Sequence, residues 1–178
     1  MAIRKATAAD AKSIAAIFNG FVTRHPAAGI KPSWTEEMVK QSIAHPDTTV
    51  AVNVDGKTVT AFCMWFRDDP KAPRIRLSAT AWVEALDSLK PDMQFVFTMW
   101  IAANTTATEM EAIWAIDHPM AVLTERRFAA GVELIPRSKA WLEKGDTTLT
   151  LVVDLATLSA AWETKLSDAV TWDRMYTV

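Results

Sequence analysis

Glycine is scarce in this chain, with only five among 178 residues. A loop that wraps a phosphate through its backbone N–H groups needs glycine where the main chain must approach closely, so few places for such a loop exist. None of the patterns G-x-x-x-x-G-K-[ST], G-x-G-x-x-G or G-x-S-x-G occurs, which removes the usual nucleotide-binding and hydrolase signatures. Cysteine is limited to Cys63, within the apolar run Ala61 to Phe66. It cannot form an intrachain disulfide, and a buried, unreactive thiol in a reducing compartment is expected. His25, His45 and His118 are far apart and each precedes a proline, so no metal site is expected from them. No apolar run approaches the ~18 residues of a membrane span. A net charge of -2 and a pI of about 5.9 leave no basic face for nucleic acid. A cytoplasmic location follows as the expectation.

Hydrophobic residues are abundant, at 50% of the chain, and eight of them are tryptophan. That is enough apolar surface for one compact domain spanning residues 1–178. Large aromatics fill cores and also gather at interfaces. A protein partner or self-association is therefore expected.

Ile3 to Ala6 alternates, and Thr7 followed by Asp10 forms a capping box with Asp in place of Glu. The helix that begins there turns Ile14, Ile17, Phe18, Phe21 and Val22 inward and ends at His25-Pro26. Ser33 is predicted to cap a second helix, Trp34 to Ala44, with Glu36 and Glu37 in its first turn. Thr48 to Val54 and Lys57 to Arg67 flank Asp55-Gly56, a strong hairpin signal. Asp68 to Pro73 reads as a loop, Ser78 to Leu89 as a helix, and Gln94 to Ala102 as a buried strand, although periodicity leaves a helix open there. Glu109 to Ile116 is a strand or short helix. Pro119 at a first helical position and Gly131 at a C-cap frame a helix from Met120 to Ala130. Next come a short helix ending at Gly145, a strand (Thr147 to Val153), an amphipathic helix (Leu155 to Leu166) and a strand from Ala169 to the C-terminus. The order implies an α/β or α+β three-layer domain with a mixed, mainly antiparallel sheet flanked by helices. Residues 69–106, with Trp82, Phe95, Phe97 and Trp100, read as an insertion between the hairpin and the fourth strand, part of whose aromatic surface is exposed in a monomer.

This element order, from I-R-K-A-T-A-A-D (Ile3 to Asp10) to the closing strand–helix–strand–helix–strand, resembles the GNAT (GCN5-related N-acetyltransferase) family. The resemblance implies an acyl-coenzyme A ligand, acetyl-CoA being the candidate. The family's diagnostic R/Q-x-x-G-x-G/A lies between the fourth strand and the third helix, where backbone N–H groups and a helix N-terminus hold the coenzyme A pyrophosphate. Its nearest match is Arg126-Arg127-Phe128-Ala129-Ala130-Gly131, with Ala129 in place of the first glycine, so Arg126, Arg127, Ala129 and Gly131 are the cofactor-binding candidates. With Ala112 to Ile116 as the fourth strand, the helix after Asp117-His118-Pro119 is an alternative anion site. Leu158 to Leu166 resembles the family's N-x-x-A-x-x-x-Y-E-K-x-G-F, with Trp162 at the tyrosine that serves as general acid. An indole N–H cannot do that work. Tyr176 is then the candidate acid, and Glu109, Glu111, Asp117 and His118 are candidates for the general base, Glu111 foremost.

Two readings follow from the resemblance. In the first, a GNAT-like fold with degenerate acyl-CoA machinery acts as a binding or structural subunit, similar to the acetyltransferase-like virion proteins of short-tailed phages; the segment Trp114 to Thr124 carries that likeness, and a virion location would go with it. In the second, the chain is an acetyl-CoA-dependent N-acetyltransferase acting on a primary amine.

Overall fold

A computed structural model describes residues 2–26, 31–69, 71–132, 134 and 138–158. The strands, in chain order, are β1 (Ala2–Lys5), β2 (Thr48–Asp55), β3 (Thr58–Phe66), β4 (Arg74–Trp82), β5 (Glu109–Ala115), β6 (Ala140–Lys144) and β7 (Thr148–Asp154). The helices are α1 (Ala11–Arg24), α2 (Glu36–Ala44), α3 (Lys90–Asn104) and α4 (Pro119–Ala129). The strands form a seven-stranded sheet in the order β1-β2-β3-β4-β5-β7-β6. All its described ladders are antiparallel except β4 with β5. The expected mixed, mainly antiparallel sheet flanked by helices is the architecture found. Two compact units divide the chain, and β4 contributes residues to both.

The first unit comprises residues 1–70 and 77–90. The hairpin forms as its turn chemistry dictates: Gly56 takes φ +59°, a conformation that costs a side-chain-bearing residue strain. Thr48 to Asp55 pairs with Phe66 to Thr58, with a bulge at Asn53/Val54. One face of the hairpin, with Val50, Val52, Phe62 and Met64, packs on Ile14, Phe18 and Val22 of α1 and Val39 of α2. Phe62 lies 6.5 Å from Phe18 and 5.7 Å from Trp34, and Trp34 stacks on Phe18 at 3.9 Å. Asn19 holds Trp34 in place by accepting its backbone N–H and donating to its carbonyl. Alternate residues Ala51, Cys63 and Trp65 are buried too, so both hairpin faces are covered. Burial pushes the Cys63 thiol far above its ordinary range, as an inert thiol requires.

The second unit comprises residues 71–76 and 91–178. Here β5 pairs with β7 along its whole length, and β7 pairs with β6. Met110, Ala112, Leu149, Leu151 and Val153 are buried, as are Val96, Phe97, Met99 and Ile101 of α3.

Several expectations are corrected. Ser78 to Leu89 is not a helix: β4 runs from Arg74 to Trp82, and a 3-10 turn, Glu84–Leu89, follows. The alanines at 79 and 81 favour helix locally, but strand pairing overrides so weak a preference. Gln94 to Ala102 is helical rather than extended, because its apolar run belongs to a 15-residue helix, α3, in which residues 96–102 are buried. The segment ending at Gly145 is a strand, β6, closed onto β7 by the Gly145 N–H donating to the Thr148 carbonyl at 2.9 Å. Thr35, not Ser33, caps α2, its hydroxyl accepting the Met38 N–H at 3.2 Å. Residues 69–106 are no insertion, since they supply β4, a middle strand of the sheet, together with α3. Trp82 and Trp100 are buried, contrary to the expected exposure. The fourth strand is consequently β4, and of Ala112 to Ile116 all but Ile116 belong to the fifth. Of the predicted helix from Leu155 to Leu166, residues 155–158 are helical; Trp162, Tyr176 and the last predicted strand lie outside the described residues.

Candidate functional site

Three places gather the residues that matter for chemistry. The first is the end of β4, in the first unit. The Trp82 carbonyl accepts a hydrogen bond from the Arg24 guanidinium at 2.8 Å, and the Val83 N–H donates to the Thr60 carbonyl at 2.9 Å. Phe21 meets the Trp82 ring edge-on at 4.7 Å and His25 at 4.6 Å, so the C-terminal turn of α1 closes over this strand end. The chain then reads Val83-Glu84-Ala85-Leu86-Asp87-Ser88-Leu89 up to α3. It contains no glycine, arginine or glutamine and two acidic residues. The Leu86 N–H is bonded to the Val83 carbonyl at 3.0 Å.

The second place is the turn from β5 into α4, where Asp117 and His118 lie. Pro119 opens the helix without an N–H to offer. The next N–H, of Met120, donates to His118 Nδ1 at 3.1 Å, and the Val122 N–H donates to the His118 carbonyl. His118 therefore acts as the N-cap, a role for which its sequence position before proline was the only signal. Arg126 and Arg127 lie in the last turn of the same helix, and Ala129 is its last residue. Gly131 follows with φ +69°, its N–H donating to the Phe128 carbonyl, which makes it a C-terminal glycine of the expected kind. The four cofactor-binding candidates thus sit where a helix presents carbonyl oxygens and the negative end of its dipole.

The third place is one face of the sheet in the second unit. Arg74 and Arg76 of β4 stand opposite Glu109 and Glu111 of β5, in parallel register. Among the described residues that ladder covers three pairs, ending at Arg76 and Glu111. Arg74 donates through Nε to Glu109 at 2.6 Å and through its two terminal nitrogens to Glu143 of β6 at 2.9 and 2.7 Å. Arg76 donates to Glu111 at 2.9 Å, and Arg74 lies 3.7 Å from the same carboxylate. Trp141 donates its indole N–H to Glu143 at 3.0 Å. The Arg74 fork, helped by the indole, holds the Glu143 carboxyl down to about 2, and the same contacts raise Arg74. Glu111, the leading base candidate, is buried and engaged by two guanidinium groups. Neither arginine was singled out from sequence. The signal was present as Arg-x-Arg and Glu-x-Glu on paired strands, where period-2 spacing puts both charges of each on one face. Among the described residues no group of three or more His, Cys, Asp or Glu could hold a metal ion.

Because these groups are partly exposed, their value is modest and sensitive to salt. Arg74→Ala is expected to lower unfolding free energy by about 1 kcal/mol at low ionic strength, the difference shrinking as salt screens the pairs. Glu143 should return toward the ordinary carboxylate range in that variant. Its lowered value means that its contribution is present above about 4.5 and is lost as pH falls toward 2. Denaturation at two salt concentrations and an NMR titration of Glu143 test both statements.

No protein-family model matches this chain, and no curated protein matches it in sequence. Solved structures do. The PaiA N-acetyltransferase of Thermoplasma acidophilum, solved in complex with coenzyme A, superposes with a TM-score of 0.61 over 86% of this chain and 98% of its own, at 12% identity. A spermidine N-acetyltransferase SpeG mutant of Vibrio cholerae gives 0.59 over 90% and 99% at 9% identity. The GNAT domain of S. lividans PAT gives 0.59 over 85% and 89% at 13% identity. The chain has the fold of the GNAT acetyltransferases; identities this low speak for the fold alone.

Proposed function

We propose that this protein is a GNAT-fold binding or structural subunit in which the acyl-CoA machinery has degenerated. The observation that carries the proposal is the segment between the fourth strand and the third helix, Val83 to Leu89. It lies between the fourth strand and the third helix, where the resemblance puts the R/Q-x-x-G-x-G/A loop, and it has no glycine, arginine or glutamine. Pyrophosphate binding needs free N–H groups and close backbone approach, and glycine supplies the second. Glu84 and Asp87 instead put two acidic residues into the segment that would have to hold an anion. The strand end beside them has its Val83 N–H and Trp82 carbonyl already bonded to Thr60 and Arg24. The alternative anion site at α4 is weakened likewise, because Pro119 lacks an N–H and His118 takes that of Met120. The sequence likeness puts Trp162 where the family has its tyrosine, and an indole N–H cannot protonate a leaving thiolate at neutral pH. The likeness to phage virion proteins belongs to this reading as its most specific form.

Thermal unfolding with acetyl-CoA tests the proposal. No saturable shift is expected. The second reading, an active N-acetyltransferase acting on a primary amine, is favoured by fold relatives solved with coenzyme A. It requires stabilisation of ~2.7 kcal/mol at about 100 times Kd. Saturable stabilisation together with acetylation of an amine would replace the first reading by the second.

A further inference from the structure

Among the described residues the sheet ends at β1 on one side and at β6 on the other. An end strand presents a row of unpaired N–H and C=O groups, which proteins guard by keeping the strand short or by setting charges along it. β1 is guarded in that way, with four residues of which Arg4 and Lys5 are cationic. β6, Ala140-Trp141-Leu142-Glu143-Lys144, has both its charges drawn inward, Glu143 to Arg74 and Lys144 to Glu125 of α4, and its Trp141 and Leu142 are only half-buried.

The ladder with β7 fixes which groups of β6 point outward. The Lys139 carbonyl accepts the Asp154 N–H at 2.8 Å and the Gly145 N–H donates to the Thr148 carbonyl at 2.9 Å, so the odd-numbered residues of this strand bond to β7. In an antiparallel pair the alternate residues turn their N–H and C=O away, which directs those of Ala140, Leu142 and Lys144 to the open edge. A further strand must meet β6 through these three. The side chains keep the same period: Lys139, Trp141 and Glu143 share the face on which Arg74 holds Glu143. Lys139 is exposed and, among the described residues, has no carboxylate partner in its own chain. Glu143 keeps 43% of its side chain exposed beside Arg74, which leaves room for a second cation.

Laid antiparallel against a copy of itself with Trp141 on a two-fold axis, β6 satisfies its backbone and its charges together. Ala140 exchanges N–H···O=C bonds with the partner's Leu142, and Lys139 stands opposite the partner's Glu143, each contact being made twice. Trp141 meets the partner's Trp141 at a non-hydrogen-bonded position, where Cα atoms come within about 4.5 Å and side chains pack closest. Other registers lose the charge match. An axis at Leu142 sets Lys139 against the partner's Gly145, an axis at Ala140 sets it against the partner's Trp141, and an axis at Glu143 opposes two carboxylates. An axis between two residues sets outward-pointing groups against inward-pointing ones.

We propose that β6 pairs antiparallel with β6 of a second copy of this chain, with Trp141 on the two-fold axis and Lys139 paired with the partner's Glu143. The pairing covers the edge of the second unit with strand hydrogen bonds, an aromatic contact and two ion pairs.

Sedimentation and light scattering of the full-length protein test this. The parent is expected to pass from one chain to two as its concentration rises from low micromolar toward millimolar. Lys139→Glu sets like charges opposite each other at both ends of the contact and should raise the dimer dissociation constant about tenfold or more, an effect that salt reduces. Leu142→Pro removes an outward N–H and no bond to β7, a site of the kind at which an edge strand accepts proline, so it should abolish the dimer and keep the parent's circular dichroism. Should that variant fail to fold, Lys139→Glu carries the comparison, its site being exposed. Oxidation reads the register: Trp141→Cys should give an intermolecular disulfide and Leu142→Cys should not, native Cys63 being buried. A parent that stays monomeric throughout would overturn the proposal, whether the chain's own terminal residues or a foreign strand takes the edge. So would a dimer indifferent to Lys139→Glu and Leu142→Pro, or a disulfide at 142 in place of 141.

Discussion

Phe62→Ala is expected to lower the unfolding free energy by about 3–5 kcal/mol, the range for removing a large aromatic from a core that cannot collapse around the gap. Phe62 is fully buried and reaches the Phe18 and Trp34 rings, so its loss removes a contact shared by β3, α1 and the residue that precedes the cap of α2. The cost should fall on the hairpin and the two helices together, because one apolar cluster holds all three. Chemical denaturation measures it. A change below about 1 kcal/mol would mean that the ring is not the centre of that core. Domains of this size are stable by only about 5–15 kcal/mol, so the variant should unfold markedly earlier than the parent.

Asp10→Ala should come next in effect, at about 2 kcal/mol near neutral pH. The carboxylate accepts both terminal nitrogens of Arg4 at 2.8 Å, the Thr7 N–H at 2.8 Å and the Thr7 hydroxyl at 2.9 Å. The Arg4 fork, then the Thr7 groups, lower Asp10 from 3.8 to about 2 against the opposing effect of burial. A group whose folded value is depressed stabilises the fold above its unfolded value and loses that contribution as pH falls through the folded one. The parent should therefore lose stability between about pH 4 and 2 by an amount that the variant does not lose through this group. Asp10→Asn, which keeps the shape and removes the charge, should recover only the part that depends on hydrogen bonding to Thr7. Parallel acid titrations of stability in the three proteins separate these terms.

What the sequence allowed and concealed has a physical pattern. The elements held by local chemistry were legible: the Thr7/Asp10 start of the first helix, the Asp55-Gly56 turn, and the Pro119 and Gly131 bounds of α4. Those governed by distant pairing were not. The 74–82 stretch carries several helix formers, and only neighbouring strands make it extended; the 95–103 stretch is apolar but for Thr98, so no period separates a strand from a buried helix. That one misplaced strand shifted the count and directed attention to Arg126 and Gly131, at a helix C-terminus, rather than to the turn between the fourth strand and the third helix. The charged face was missed for a related reason. Arg74 gains its meaning only from Glu109 and Glu143, 35 and 69 residues away.

The division of β4 bears on the order in which the chain can fold. Its residues from 77 onward complete the first unit, which needs nothing beyond residue 90, whereas residues 71–76 belong with partners that include Glu109 and Glu143. During synthesis the first unit can consolidate early, since chains fold by compact pieces as these emerge. The start of the same strand must then wait, extended and unpaired on that side, until at least the fifth strand has left the ribosome. A chain arrested near residue 100 should therefore protect the amides of the β2–β3 hairpin from exchange while leaving those of Arg74 to Arg76 open.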